Sequence, residues 1–383
     1  MKKKVLILLL STMMVSSVFV GCSSKTGDTK AQSTEVAEEV KKTDIMSLTA
    51  TDYIKEVNYQ GIVDFSSIST ASDDDVKKNI ESYLGTNAIY KHVAEGTVAN
   101  ESIVNIDYTG TINDTEFDNG SAKGVNLDID NNTYIDGFAS GLVGHNVGDT
   151  VTLDLTFPDD YEGTFTDSDG ATKNLAGQKV KFTVTINYIC GDQITSFDEM
   201  TDEYASDLTG GYYKTLNDFI DGTRHDIVKQ NVSNLELEMW DKLVKNISFV
   251  DGKENDVKGL VDDEYDYEMA YYTQMAKSYK TDLKSLAKDQ LGYDDMDAFK
   301  DFLKKNAQYV VYQNLIVDYL AETNNLVLTD EQYQEKGAEL AKQYGYESLK
   351  DFTADYEKVE VKEYLEYEAV SDFLIKANGY TGE

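Results

Sequence analysis

The sequence predicts an α+β fold, in which an antiparallel β-sheet wrapped on a short helix is followed by an all-helical domain. The first observation is the alternation of apolar and polar residues between about residues 96 and 192, which is typical of half-buried strands. The second is a change after Asp192, where the apolar residues recur at helical spacing. These observations place the folded domains at residues 96–192 and 193–383.

Three apolar runs predict the strands of the sheet. Each run alternates with polar residues, so its apolar side chains share one face. The runs are Val104, Ile106 and Tyr108; Val151, Leu153, Leu155 and Phe157; and Val180, Phe182, Val184 and Ile186. Between them, residues 134–143 carry Ile135, Phe138 and Leu142 at helical spacing and predict the short helix of this domain.

The first residues of the chain have the pattern of an export signal. Residues 1–4 are basic, residues 5–20 are apolar, and Gly21 stands directly before Cys22. This pattern resembles a lipoprotein signal peptide at residues 1–21, which implies cleavage before Cys22 and lipidation of its thiol. Residues 22–45 are polar without periodicity and predict a flexible tether. We therefore expect a lipid-anchored protein on the extracytoplasmic face of the cell membrane; an uncleaved signal anchor and a plain secretory signal are the alternatives.

The net charge of −35 argues against nucleic acid and anionic membrane surfaces as partners, because both would repel such a chain. If Cys22 is lipidated, Cys190 is the remaining cysteine, and its place at the end of an apolar strand predicts a buried, inert thiol. His92, His145 and His225 lack metal-ligand spacing and predict ordinary surface positions. We expect neither a cofactor nor a metal site.

Residues 46–95 predict a lead-in segment of strand followed by helix. Residues 53–65 have a strand-like composition. A helix is expected from Asp73, with Ser72 as its N-cap and acidic residues in its first turn.

Several short motifs follow one another across the predicted sheet domain. They are D-Y-T-G at residues 107–110, E-F-D-N-G at 116–120, I-D-G-F at 135–138, G-x-x-x-G-D at 144–149 and F-P-D-D-Y at 157–161. In order and spacing they resemble FKBP-type peptidyl-prolyl isomerases, and F-P-D-D-Y is most similar to the isomerase module of trigger factor. The resemblance implies an FKBP-like sheet wrapped on a short helix, an all-α trigger-factor/SurA-like C-terminal domain, and isomerase activity on X-Pro bonds.

The resemblance also assigns residues to an isomerase pocket. The catalytic set that it implies is Tyr108, Phe117, Asp118, Ile135, Phe138, Tyr161 and Phe182. Val125 and Leu127 would complete the wall that binds substrate. Phe138 would form the floor, the Ile135 N–H would hold the substrate carbonyl, and Tyr161 would place a hydroxyl at the rim. An aromatic site is sufficient for this reaction, because rotation about the imide bond moves no proton and forms no covalent intermediate.

The sequence departs from the family pattern at three places. Asp136 stands where relatives commonly have proline, and Val125 and Leu127 stand where they often have aromatic residues. Residues 162–174 form a longer loop beside the predicted pocket mouth. These departures leave open a second interpretation, in which the module is the catalytically inactive scaffold of a holdase or adaptor chaperone.

The helical region resembles trigger factor most closely in its first part. Further along, residues 257–279 place Tyr265, Met269 and Tyr272 on one helical stripe. Soft methionine and amphipathic tyrosine suit contact with varied apolar sequences, so these residues are predicted substrate contacts. The alternative is that the stripe is the core of a helical domain. More helices are predicted at residues 296–322, 329–344 and 348–377.

Taken as a set, these features favour a membrane-anchored, extracytoplasmic foldase. It would isomerise X-Pro bonds in newly exported, unfolded polypeptides and hold those chains through its helical domain. Trigger factor in the cytoplasm docks on ribosomes through a basic N-terminal domain, and an exported form is expected to meet no ribosome. A solute-binding lipoprotein of a transporter is a third interpretation, disfavoured because that class has parallel-sheet patterning.

Overall fold

The computed structural model describes residues 45–68, 70–166, 172–356 and 358–382, and it leaves out the side chains of Met46, Ser67 and Asp118. It divides into two compact units. The described residues up to Thr70 and from Ile227 onward form the helical unit, and Ala71–Asp226 forms the sheet unit. The predicted α+β fold class is confirmed. The predicted signal peptide and Cys22 lie outside the described residues.

The described strands and helices follow in chain order. The strands are β1 (Ile54–Glu56), β2 (Tyr90–Val93), β3 (Ile103–Ile112), β4 (Thr115–Asp128), β5 (Thr150–Thr156), β6 (Thr164–Thr166), β7 (Thr172–Asn174), β8 (Lys179–Gln193) and β9 (Ser248–Phe249). The helices are α1 (Asp73–Thr86), α2 (Asp202–Leu208), α3 (Leu216–Lys245), α4 (Glu254–Ser278), α5 (Leu283–Asp289), α6 (Met296–Asn324), α7 (Asp330–Gln343), α8 (Leu349–Asp355) and α9 (Lys358–Ala377). None of these helices is long and apolar enough to span a bilayer.

The long strand β8 is central to the sheet unit. Strand β3 pairs antiparallel along one edge of β8, strands β5 and β2 share its other edge, and β4 lies outside β3. The predicted apolar positions face one core, in which Val104, Ile106, Val184 and Ile186 are each 0% exposed. The strand prediction from alternation is therefore confirmed for this sheet.

The helix predicted at residues 134–143 is wrong. The chain there forms successive turns and a single 3-10 turn at Ser140–Leu142. Gly137 has a φ of +89°, and this conformation ends any run of α-helical hydrogen bonds. A Cβ at this position would also lie 2.8 Å from Leu155 Cδ2. The turns nevertheless bury Phe138 and Leu142 completely, which explains why their spacing looked helical.

Helix α1 begins at Asp73 with Ser72 as its N-cap, as predicted, and the structure shows that this cap is a capping box. The Ser72 hydroxyl accepts the N–H of Asp75, and the Asp75 carboxylate accepts the N–H of Ser72. These two bonds satisfy N–H groups that have no partner inside the helix. On the C-terminal side of the sheet, α2 has Thr201 as its N-cap, whose hydroxyl accepts the N–H of Tyr204.

His92 is not the ordinary surface residue that its sequence context predicted. Its side chain is 15% exposed, and its Nδ1 lies 2.8 Å from Glu203 Oε1 while its Nε2 lies 2.8 Å from Asp207 Oδ2. The imidazole also stacks on Tyr188, with ring centroids 3.6 Å apart. Two carboxylates of α2 therefore fasten that helix to strand β2.

Cys190 is half-buried near the end of β8, where a buried thiol was predicted. Burial raises the pKa of its thiol to about 11. Because the thiolate is the reactive form, Cys190 is unreactive at neutral pH, as expected.

The largest core of the helical unit surrounds Trp240, which is 0% exposed. The Trp240 indole N–H donates to Ser371 Oγ at 3.0 Å, so its polar group is satisfied inside the core. Ile54 and Phe65 belong to the same core, and β1 pairs antiparallel with β9. The structure thus divides the predicted lead-in segment 46–95 between the units, because its first half buries apolar side chains among these helices.

Most predicted helices of the C-terminal region are present with small shifts of boundary. Helix α6 extends to Asn324, and α7 begins at a capping box formed by Thr329 and Gln332. The prediction of one helix over residues 348–377 is wrong, because α8 and α9 are separate. Tyr356 ends α8 in an extended conformation, with φ −124° and ψ 134°, and its ring packs on Phe352 in a small core.

Candidate functional site

The sheet unit contains an aromatic pocket of about 300 Å³. Its lining residues come from β3, β4, β8 and the loops around residues 133–138 and 157–161. They are Tyr108, Phe117, Asn119, Gly120, Thr133, Tyr134, Ile135, Phe138, Phe157, Tyr161 and Phe182. None of these side chains carries a formal charge, and the described residues contain no cluster of His, Cys, Asp and Glu suited to a metal ion.

The structure brings most of the sequence-predicted site residues to this pocket. Those that line it are Tyr108, Phe117, Ile135, Phe138, Tyr161 and Phe182. Val125 and Leu127, predicted as parts of the wall, do not line it; Leu127 is 1% exposed in the core and Val125 packs against that core. The side chain of Asp118 lies outside the part of the chain that the structure describes.

Sequence reasoning missed two aromatic lining residues, Tyr134 and Phe157. Both lie inside or directly beside motifs that were recognised, since Tyr134 precedes I-D-G-F and Phe157 opens F-P-D-D-Y. Their neighbours in those motifs were the available signal. The strand pattern instead assigned Phe157 to the core, and it is indeed 4% exposed while also contacting the pocket.

The aromatic rings of the pocket pack mainly edge to face. Tyr108 lies edge-on to Phe138 and Phe182, with centroid distances of 5.4 Å and 6.0 Å. Phe138 meets Phe182 at 90° and 5.0 Å. Such arrangements bring the positive ring edge to the negative ring face, which holds the rings in fixed positions. The pocket is therefore a preorganised apolar surface.

Two glycines allow the walls to close. A Cβ added at Gly110 would lie 2.6 Å from Phe182 Cε1 and 2.9 Å from the Gly120 carbonyl oxygen. One added at Gly120 would lie 2.7 Å from Phe117 Cζ. At Gly110 and Gly120 the backbone therefore lies so close to the phenylalanine rings that no other side chain would fit. This close approach explains the glycines in D-Y-T-G and E-F-D-N-G.

The polar groups of the pocket are neutral donors and acceptors. Burial, together with a hydrogen bond to Tyr108, raises the pKa of Tyr134 to about 12. The backbone N–H of Ile135 has no acceptor among the described residues, so it is available to a substrate carbonyl at the pocket wall. Tyr161 is 39% exposed, as expected for a residue at the rim.

The inserted loop is anchored beside the pocket. Strands β6 and β7 form a short antiparallel hairpin. Phe165 of β6 is 6% exposed in the core, and its ring centroid lies 6.4 Å from that of Phe117. The described part of the insertion therefore supports one wall of the pocket from behind.

We expect Phe165→Ala to destabilise the sheet unit by about 3–5 kcal/mol, because it leaves a cavity behind Phe117. Urea unfolding followed by circular dichroism measures this change, and Thr166→Ala, an exposed position on the same strand, is the control. Equal midpoints for the two variants would contradict the supporting role of Phe165.

The helical unit has a second cavity, of about 420 Å³, where α3, β9 and α6 meet. Its apolar lining residues are Val244, Ile247, Phe249, Tyr309 and Tyr312, and its polar ones are Asp241, Lys245, Lys305 and Gln308. We call it the helical-unit groove. Phe249 and Tyr312 form an edge-to-face pair at 5.1 Å, and Lys245 Nζ lies 2.7 Å from Asp241 Oδ2.

The stripe predicted on α4 packs within the helical unit. Tyr265, Met269 and Tyr272 are half-buried against a small core that contains Phe299 of α6. Tyr272 and Phe299 pack edge to face with centroids 5.4 Å apart. The structure gives these side chains a packing role, and their contact with substrate stays a prediction.

Comparison with known families agrees with this geometry. Residues 94–187 match the family model of the FKBP-type peptidyl-prolyl cis-trans isomerase, and residues 225–376 match that of the bacterial trigger factor C-terminus. The fold and the uncharged aromatic pocket thus define the chain as an FKBP-type peptidyl-prolyl isomerase. The combination of both domains makes it a member of the trigger factor kind of these enzymes.

The matches to individual relatives have low sequence identity but extend over most of both chains. The chain is 24% identical to the trigger factor of Acetivibrio thermocellus over 333 residues, covering 86% of this chain and 74% of the relative. It is 26% identical to the trigger factor of Bacillus pumilus over 346 residues, covering 88% and 77%. One solved structure carries the description "Promiscuous Substrate Recognition in Folding and Assembly Activities of the Trigger Factor Chaperone". It aligns with this chain at 15% identity and covers 85% of this chain and 73% of that chain. The TM-score of this alignment is 0.40.

Proposed function

We propose that this isomerase is a membrane-anchored, extracytoplasmic foldase, which acts on X-Pro bonds of exported, unfolded polypeptides and holds those chains through its helical unit. The observation that carries the proposal is the presence of an uncharged aromatic pocket and a trigger-factor C-terminal region in one chain. The export pattern of residues 1–22 supports the location. In that location the protein would meet exported chains and no ribosome.

The pocket has the properties that imide rotation requires. The barrier of about 18–20 kcal/mol arises from amide resonance, which is lost in the twisted state. A water-poor aromatic surface disfavours the charge-separated planar amide relative to the twisted one, and so it binds the twisted form better. The Tyr108 and Tyr134 hydroxyls and the Ile135 N–H can form hydrogen bonds with the substrate without any proton transfer.

The helical-unit groove is the candidate surface for holding a chain. The floor of this groove is apolar and is formed by Val244 and Tyr309, which are 9% and 7% exposed. Lys305 lies at the side of the groove and is exposed. An unfolded segment could bury an apolar side chain there. Burial raises the pKa of Tyr309, with Asp241 and Glu236 adding to the effect, so its hydroxyl stays neutral and can donate a hydrogen bond to such a segment.

A lipid anchor would raise the local concentration of both sites for chains that emerge at the membrane. Two acyl chains on one residue suffice for stable anchoring, where one chain is marginal. The acidic surface would not bind anionic lipid by itself, since the net charge is −35. The anchor would therefore supply the membrane affinity that the folded units lack.

Cys22→Ala is expected to abolish lipidation. The protein should then either move from the membrane pellet to the soluble fraction or retain its uncleaved signal peptide. The measurement is fractionation of bacterial cells that express the full chain, with mass spectrometry of the N-terminal peptide. Cys190→Ala is the control, because it removes the other cysteine and should stay in the membrane with its lipid. An unlipidated Cys22 in the wild-type protein would contradict the anchor and favour a plain signal or signal anchor.

Two variants should separate isomerisation from holding. Tyr108→Ala is expected to lower kcat/KM on X-Pro tetrapeptides by at least about tenfold, because it removes an aromatic wall of the pocket. Tyr312→Glu is expected to leave that activity unchanged and to weaken suppression of aggregation of a reduced, unfolded protein. Tyr83→Ala and Tyr279→Glu, at exposed tyrosines of the respective units, are the matched controls.

The same experiment discriminates the two interpretations of the sheet unit. Acceleration by the wild type that is lost in Tyr108→Ala supports a working pocket. If the wild type accelerates neither tetrapeptides nor a proline-limited refolding reaction while it still suppresses aggregation, the module is a scaffold and holding is the function.

A further inference from the structure

The predicted floor of the pocket is completely covered. Phe138 is 0% exposed, although it belongs to the residues around the cavity. The ring of Tyr134 lies on it, with centroids 4.5 Å apart and planes 13° from parallel. Two rings stacked at this distance are in contact, so no prolyl ring fits between them. A substrate that enters the pocket in this conformation therefore contacts Tyr134 on the side where Phe138 lies.

Neighbouring groups hold Tyr134 in this position. The ring of Tyr108 lies edge-on to it, at 86° and 5.8 Å. Its backbone N–H donates to Asn132 Oδ1 at 3.1 Å, and Asn132 Nδ2 donates in turn to the carbonyl oxygen of Ile129 at 2.9 Å. The loop is thus tied to the end of β4, and the Tyr134 ring remains half-buried with one part facing the cavity.

The next residue carries the free backbone donor. Ile135 follows Tyr134, and its N–H points to no acceptor among the described residues. A substrate carbonyl held there would lie one residue away from the Tyr134 ring. A proline ring packs well on an aromatic face, because its polarised C–H groups meet the negative face of the ring.

We propose that Tyr134 is the substrate-contacting platform of the pocket: the prolyl ring lies on the Tyr134 ring, and Phe138 supports the Tyr134 ring from beneath. Tyr108 borders the platform edge-on. The inference rests on the isomerase part of the proposed function and is independent of the location of the protein.

The test uses the purified full chain in mild detergent and tetrapeptides of the form Ala-Xaa-Pro-Phe, with Xaa as Ala, Leu, Phe or Glu. Tyr134→Phe keeps the ring and is expected to keep kcat/KM within about threefold of the wild type. Tyr134→Leu removes the ring and is expected to lower kcat/KM about tenfold, mainly through KM. Tyr83→Phe and Tyr83→Leu are the controls, because Tyr83 is an exposed tyrosine of the same unit.

A second measurement does not depend on whether the leucine variant folds. NMR spectra of the wild-type chain with labelled tyrosine or labelled phenylalanine are recorded with Ala-Leu-Pro-Phe, and prolyl contacts are expected to the Tyr134 ring. Prolyl contacts to Phe138 and none to Tyr134 would overturn the proposal. A Tyr134→Leu variant at least as active as the wild type would overturn it as well. In both cases the Tyr134 side chain would move out of the pocket when substrate binds. A wild-type chain without any isomerase activity would instead refute the proposed function.

Discussion

Asp318→Asn is expected to stabilise the helical unit by several kcal/mol at pH 9 and by much less, about 1–2 kcal/mol, at pH 5. Asp318 is 8% exposed on α6, and its Oδ2 has no hydrogen-bond partner among the described residues. Burial, with the nearby carboxylates of Glu366, Glu363 and Glu322, raises the pKa of Asp318 to about 8, while Lys362 opposes the shift. The carboxyl group is therefore protonated in the folded protein at neutral pH.

The sign of the pH effect follows from that shift. The pKa of Asp318 in the unfolded chain is near the ordinary value of 3.8, so the folded state binds the extra proton between about pH 4 and pH 8. Stability from this group is fully present below pH 4 and is lost as the pH rises towards 8. A shift of about four pKa units corresponds to roughly 6 kcal/mol, of which most is lost by pH 8.

The measurement is urea unfolding at pH 5, 7 and 9, followed by the fluorescence of Trp240. This residue is the single tryptophan of the chain and lies in the core of the helical unit, so its signal reports that unit. Asp301→Asn, at an exposed position of the same helix, is the control and should retain the wild-type pH dependence. An unchanged pH dependence in Asp318→Asn would show that Asp318 is ionised in the folded protein.

Phe138→Ala is expected to destabilise the sheet unit by about 3–5 kcal/mol, because a completely buried ring leaves a cavity that the neighbouring rings cannot fill. It also removes the support beneath Tyr134, with which Phe138 is stacked. Isomerase activity should therefore fall even at temperatures where the variant is folded. Phe138→Leu should lose less stability, because it retains more of the buried volume.

Hydrogen–deuterium exchange of β3 and β8 measures the stability of the sheet around Phe138. Faster exchange is expected in both strands of Phe138→Ala, since their side chains share its core. Tyr83→Ala, at an exposed site of the same unit, is the control. Wild-type exchange in β3 and β8 of the Phe138 variant would contradict the central place of this ring in the core.

The local features of this protein could be predicted from its sequence. Alternation is enough to find β3, β5 and β8, because the period of two places alternate side chains on one face of any strand. Capping at Ser72 involves atoms only three residues apart, so its signal is likewise local. The pocket aromatics Tyr108 and Phe117 were predicted through the ordered motifs D-Y-T-G and E-F-D-N-G, which carry information that periodicity alone lacks.

Features that depend on distant parts of the chain could not be predicted in this way. The left-handed conformation of Gly137 replaces a helix that the apolar spacing favoured, and the docking of Ile54 and Phe65 moves half of the predicted lead-in segment into the helical unit. In each case the conformation or position of a segment depends on which buried surface it packs against.

The sequence by itself therefore determined the class of fold, the order of the elements and the chemical character of the site, since these depend on local periodicity and on motifs. Only the tertiary structure decided that Tyr134 covers Phe138, that Phe165 supports Phe117, and that Asp318 is buried beside other carboxylates. Packing distances and burial are properties of residues brought together from separate strands and helices. They follow from the whole arrangement of the core, and no window of sequence contains them.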